Sequence, residues 1–292
     1  MSKSEREPAV SFTEEQRIRE NKEFIAKLNV MDDIFFQKIV ADPLVCQEIL
    51  RIILEEPELE IRECRVQDSL KNLQGRSVVL DVNCQDSKGV YYNIEVQKQD
   101  NDDHQRRTRY NRALLTSNVT RIGVDFIDVP DVKTIYISKF DMFKEGQTVY
   151  RIERRLSRNG KAVENGTAEI YVNSKVDDGT EIAELMQYFQ KSVGYHNKFP
   201  CLSNRVKMFK ETEEGVMYMS SVVEEIREKG RKEGRKEGRK EGRKEGRAES
   251  ALESVKALLL RNIASTEEDA CVILGLDYNE YSLWKRNLTL SK

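Results

Sequence analysis

Two runs in the middle of the chain alternate apolar and polar residues with a period of two, and this limits the available architectures more than any other feature. In Ser77–Cys84, Val78, Leu80, Val82 and Cys84 alternate with Ser77, Val79, Asp81 and Asn83; in Val90–Gln97, Val90, Tyr92, Ile94 and Val96 alternate with Tyr91, Asn93, Glu95 and Gln97. Such a period marks a strand with one face buried. The intervening Gln85-Asp86-Ser87-Lys88-Gly89 is rich in turn residues, so an antiparallel hairpin is the simplest connection.

The flanking sequence supplies helices and further strands. Phe24, Leu28, Met31, Phe35, Ile39, Leu44, Ile49 and Ile53 recur at helical spacings, which predicts one or two amphipathic helices around Asp32 and Asp33 with a break at Asp42-Pro43. Asp102 to about Val119 reads as a helix carrying Arg106, Arg107, Arg109 and Arg112. Val132–Ile137 is more continuously apolar and suits a sheet interior. Strand-like runs follow at Val149–Leu156 and Ala168–Val172, then helices at Glu181–Gln190, Arg205–Lys210 and Val216–Arg227.

Beyond Lys229 the composition changes. Gly-Arg-Lys-Glu repeats at Gly230, Gly234, Gly238 and Gly242, with a degenerate copy at Gly246. Residues 229–247 hold ten Lys or Arg against four Glu, whereas the whole chain has a net charge of −2, so the remainder is acidic. Each Gly costs a helix about 1 kcal/mol relative to Ala, so in isolation this segment is expected to fray. It reads either as a solvated linker or as a surface ordered by nucleic acid or by a second copy of the chain. Further on, Ser265 and Glu268 have the spacing of a capping box. Helix, Gly275-Leu276 turn and helix outline a helix-turn-helix, or more plainly a helical cap that buries Trp284.

Composition removes several classes of chemistry. No apolar stretch spans a bilayer, and Met1–Arg19 lacks a secretory signal core, so a cytoplasmic protein without membrane contact is expected. The five cysteines form no CxxC pair and read as small buried residues rather than a zinc ribbon or a disulfide framework. His104 and His196 are the two histidines, and both read as surface residues. There is no Walker-type loop, dinucleotide fingerprint or nucleophile elbow. Candidate chemistry therefore falls to carboxylates. Closed symmetrically around Gln85–Gly89, the hairpin places Asp81 opposite Asn93 and makes Glu95 its diagonal neighbour, with Cβ atoms about 7 Å apart. Two carboxylates so placed can share a cation whose oxygen ligands sit at about 2.0 to 2.1 Å, as magnesium requires. A slip of one residue would send Glu95 to the other face, and the bland reading is two solvent-facing residues of a half-exposed sheet.

Asp81, followed after thirteen residues by Glu95-Val96-Gln97, resembles the active-site signature of the PD-(D/E)xK nuclease superfamily. More closely, Asn72-Leu73-Gln74-Gly75-Arg76-Ser77-Val78-Val79-Leu80-Asp81-Val82 and Tyr92-Asn93-Ile94-Glu95-Val96-Gln97 are similar to its transposase branch, related to recombination-promoting nucleases. Met31-Asp32-Asp33-Ile34-Phe35-Phe36 and Arg109-Tyr110-Asn111 extend the resemblance, which covers about Asn29 to Glu228. It implies an α/β (α+β) protein with a restriction-endonuclease-like αβββαβ core, a mixed sheet flanked by helices, and a helical C-terminal extension. It further implies metal-dependent hydrolysis of DNA phosphodiesters with Mg2+ (or Mn2+), Asp81 and Glu95 as ligands and Asp33 as a further acidic residue. Gln97 occupies the place of the superfamily lysine; a glutamine amide can exchange hydrogen bonds but brings no positive charge.

The arginines Arg106, Arg107, Arg109 and Arg112 read either as phosphate clamps or as a solvated face paired with Asp100, Asp102 and Asp103. The organisation expected is a disordered arm over residues 1–20, a nuclease-like domain over 21–228, the repeat over 229–250 and a small helical segment over 251–292. The leading functional reading is a DNA endonuclease. The alternative is a catalytically inactive nuclease-like body that binds DNA or self-associates through the repeat.

Overall fold

Asp42 divides the N-terminal apolar stretch. Its carboxylate accepts the Leu44 N–H at 3.0 Å and Pro43 takes the first helical position, where the missing N–H costs nothing. Three helices result, α1 (Glu14–Lys27), α2 (Asp33–Val40) and α3 (Pro43–Leu54). The computed structural model describes residues 14–290 except Leu73, Gln74, Asp102 and Val193. Most of the expected arm lies outside the described residues, and its last part, from Glu14, is helical.

The chain then runs through β1 (Ile61–Leu70), β2 (Val78–Asp86), β3 (Tyr91–Gln97), α4 (His104–Val119), β4 (Val132–Ser138), β5 (Val149–Ile152) and β6 (Thr167–Asn173). Helices α5 (Glu181–Gln190), α6 (Pro200–Glu211), α7 (Glu213–Leu260), α8 (Glu267–Leu274) and α9 (Tyr278–Leu290) complete it. The succession α3-β1-β2-β3-α4-β4 is the αβββαβ core. Six strands form one mixed sheet in the order β1-β2-β3-β4-β6-β5. β1, β2 and β3 pair antiparallel, β3-β4 and β4-β6 are parallel, and β5 closes the edge antiparallel to β6. This α+β arrangement, with its helical C-terminal region, is consistent with a restriction-endonuclease-like fold.

The hairpin forms, but with a different register. Asn83 pairs with Asn93 and Val82 with Ile94, two residues away from symmetrical closure around Gln85–Gly89. The cause is Asp86, whose Oδ1 accepts the N–H groups of Lys88 at 2.9 Å and Val90 at 2.8 Å while its own N–H donates to the Val90 carbonyl. The loop thereby shrinks to Ser87-Lys88-Gly89, with Gly89 at a φ of +87° that favours glycine. An even shift leaves the faces of the paired residues unchanged.

The polar face is not open to water, contrary to a half-buried sheet. Asn83, Asn93 and Glu95 are all buried, and Asn111 of α4 bonds to Glu95 across that face. The opposite face packs against α3, where Cys46 meets Cys84. Behind that helix layer, Phe36 meets Phe189 of α5 and Phe35 meets Phe209 of α6, while Glu48 of α3 accepts the Cys201 and Leu202 N–H groups that open α6.

The chain divides into two compact units, up to Ser220 and from Ser221. In the second, Val255, Ala264, Ala270, Cys271 and Tyr281 form the core. The capping box is Thr266 with Asp269, one residue later than Ser265 with Glu268, and the cap buries Tyr281 whereas Trp284 stays half-buried beneath Arg247. The repeat is helical throughout, within α7. Its neighbouring turns explain this: Met219 before it and Ala251 and Val255 after it are buried, so the repeat propagates a helix anchored at both ends and needs no nucleation of its own. No helix among the described residues is long and apolar enough to cross a membrane.

Candidate active site

The ladder between β2 and β3 runs from Gln85–Tyr91 to Val82–Ile94, and Asp81 stands just past its end. There Oδ2 of Asp81 accepts the Val96 N–H at 3.1 Å, which directs the carboxylate toward β3. Burial pushes the Asp81 carboxyl above the ordinary range; the Val96 N–H opposes this, the negative charge of Asp33 adds to it and Arg107 opposes it. Asp33 lies exposed in the first turn of α2, within electrostatic reach of Asp81.

Glu95 is 2% exposed. Its Oε1 accepts from Asn93 Nδ2 and from Asn111 Nδ2, each at 3.2 Å. Its Oε2 is buried with no hydrogen-bond partner, and the Arg107 guanidinium stands 3.6 Å away. Burial, then the charge of Asp81, raises the Glu95 carboxyl to about 7, against the pull of Arg107, Asn93 and Asn111. Two adjacent acids thus resist simultaneous ionisation while one oxygen stays unbonded. That donor set suits a hard divalent cation, which prefers carboxylate oxygens.

Gln97 follows on the same strand, but its Nε2 donates to the Gln99 carbonyl at 2.9 Å. Lys98 forms an ion pair with Asp32, the N-cap of α2. Arg107 is the arginine that reaches the carboxylate pair. Arg112 is held by Glu169 of β6, Arg106 pairs with Asp103 and Arg109 is exposed. Arg106, Arg107, Arg109 and Arg76 line one cleft of about 540 Å³, together with Tyr110 and Asn111. The Tyr110 hydroxyl donates to the Arg76 carbonyl and accepts from Asn72 Nδ2, which ties Arg76 to α4 at the rim.

His104, expected at the surface, is buried: it shares a 2.7 Å hydrogen bond with the Tyr136 hydroxyl and lies 3.2 Å from Asp100. His196 is half-buried and pairs with Glu184. Asn93, Asn111 and Arg76 have no assigned role in the sequence reading. The spacing of His104, Thr108, Asn111 and Leu115, the buried stripe of α4, is the signal that marks Asn111 as inward-facing.

Residues 33–172, from the start of α2 to within one residue of the end of β6, match the family model described as PD-(D/E)XK nuclease family transposase. The match contains both carboxylates, Gln97 and all of α4. No curated protein and no solved structure was found to match the chain.

Proposed function

From the match of residues 33–172 to the PD-(D/E)XK nuclease family transposases, we propose that the protein is a metal-dependent DNA endonuclease in which Asp81 and Glu95 hold Mg2+ or Mn2+. The observation that carries this reading is the buried Oε2 of Glu95, which makes no hydrogen bond and has the Arg107 guanidinium 3.6 Å away, beside a second carboxylate whose proton affinity is also raised. When bound, such a cation lowers the pKa of a ligated water and neutralises charge building on a phosphate.

The rest is the work of the chain. Asn93 and Asn111 grip Oε1 of Glu95, so Oε2, which makes no hydrogen bond and faces Arg107 at 3.6 Å, is the oxygen that would act as a ligand. The Val96 N–H orients Asp81, and Asp33 adds negative charge at the open side. Arg107, Arg106 and Arg109, with Arg76, seat backbone phosphates in the adjoining cleft. Arg112 supports that helix through Glu169. Gln97 orients the attacking water once its amide leaves the Gln99 carbonyl; it supplies hydrogen bonds without charge. The nuclease body spans residues 21–228. The repeat adds salt-sensitive, sequence-independent affinity for DNA and a surface for self-association.

Supercoiled plasmid incubated with the protein and Mg2+ should be nicked, and Asp81→Ala should abolish nicking while circular dichroism stays unchanged. Equal nicking by both proteins removes the site assignment. Retained DNA binding without cleavage in either Mg2+ or Mn2+ would make the body a binding platform instead.

A further inference from the structure

Three cysteines distant in sequence meet on the sheet face opposite the carboxylates. Cys64 of β1 pairs directly with Cys84 of β2, their Sγ atoms 3.2 Å apart, and Cys46 of α3 reaches down to 2.9 Å from Cys84 Sγ. All three sulfurs lie within 4.8 Å of one another, and no other group of three His, Cys, Asp or Glu among the described residues converges this way. Cys46 and Cys84 are buried, while Cys64 is half-buried and donates to the Val40 carbonyl at 3.1 Å. We propose that Cys46, Cys64 and Cys84 form a binding site for a thiophilic divalent cation, Zn2+, separate from the carboxylate pair.

A disulfide would use two sulfurs and leave the third beside it, whereas a tetrahedral thiolate site uses all three. Zinc–sulfur bonds of about 2.3 Å set neighbouring sulfurs roughly 3.8 Å apart, so Cys84 Sγ needs to move by less than an ångström from each of its two neighbours at 2.9 and 3.2 Å. A water reaching the half-buried Cys64 would supply the fourth ligand. Charge selects the ion. Three thiolates leave −1 around Zn2+ but −2 around Cu+, and the charged side chain acting on Cys64 is the negative Asp42. Magnesium has little affinity for sulfur, so this site does not compete with the other.

The reduced, metal-free full-length protein is titrated with Zn2+ against a chromophoric chelator, and in parallel with Co2+ as an optical probe. One equivalent should bind tightly enough to draw Zn2+ from the chelator, with thiolate-to-cobalt charge-transfer absorption in the Co2+ titration. Cys64→Ala, at a half-buried position, should weaken Zn2+ binding by more than about tenfold and remove that absorption, with Cys64→Ser as a same-size check and Cys201→Ala unchanged. Absence of binding, binding indifferent to Cys64→Ala, or a cobalt spectrum without thiolate bands overturns the proposal. None of these readings depends on DNA cleavage.

Discussion

The two faces of the sheet differ by one residue along each strand. Val82, Ile94, Ile135 and Ile170 line up across β2, β3, β4 and β6, buried and apolar. One step along, Asn83, Asn93, Thr134 and Glu169 form the parallel row that faces α4. The apolar row is complete in itself. The polar row leaves Asn83 Oδ1, Asn93 Oδ1, Thr134 Oγ1 and, two residues on, Glu95 Oε2 buried without hydrogen-bond partners. Each such group typically costs about 1–3 kcal/mol. One face therefore stabilises the fold, and the other holds buried polar atoms that the protein itself leaves without hydrogen bonds.

The largest expected effect tests the apolar row. Ile135 is fully buried in the central strand, and Ile135→Ala should lower unfolding free energy by about 4 kcal/mol in urea denaturation. A loss below about 1 kcal/mol would mean that this face is not the stabilising one.

Glu95→Gln should act in the opposite direction. With its carboxyl raised to about 7 from the ordinary 4.5, folding favours the protonated form, so the stabilising contribution is full below about pH 4.5 and is lost as pH rises through 7. At pH 8 without metal, the ionised side chain should cost about 3 kcal/mol. Glu95→Gln should recover much of this at pH 8 and little at pH 4.5, and Mg2+ should stabilise the wild type but not the variant. A wild-type-minus-variant difference that is flat between these pH values would break the comparison.

These faces were legible in the sequence to different degrees. The period of two revealed β2, β3 and the separation of Val82 from Asn83, because side-chain direction follows from backbone geometry alone. β1 carries a weaker signal: it is an edge strand with a register shift between Ile61 and Glu63 and with Gln67 at a φ of 52°, and its outward residues Arg62, Glu63, Arg65, Gln67 and Ser69 are polar or charged. Register also escaped, since Gln85–Gly89 holds several turn formers and only the Asp86 carboxylate selects which residues close. The thiol cluster joins α3, β1 and β2, whereas Asn93 grips Glu95 from two residues away on the same strand and Asn111 from the next element, α4, whose orientation over the sheet no local spacing sets. No local spacing of Cys46, Cys64 and Cys84 encodes their meeting.

A smaller effect tests the grip on Glu95. Asn111→Ala removes one of the two donors to Oε1, so the Glu95 carboxyl should rise further, and the lower limb of the nicking pH profile should move to higher pH. The accompanying loss of stability should be about 1 kcal/mol. An unmoved limb with the fold intact would show that Asn111 packs without tuning the carboxylate.

The smallest effect on the fold belongs to the rim of the polar face. Arg106 is exposed and pairs locally with Asp103, so Arg106→Ala should change stability by less than about 0.5 kcal/mol. Its position in the cleft predicts a different consequence for binding. If it neutralises one phosphate, the slope of log affinity against log salt should fall by about 1, with a similar loss on every DNA sequence. Arg112→Ala should do the reverse, because Arg112 is spent on Glu169 inside the unit: stability should fall and the salt slope should hold. Measured side by side, the two variants separate arginines that meet DNA from those that brace the helix presenting them, and an unchanged slope for Arg106→Ala would move the DNA path off this cleft.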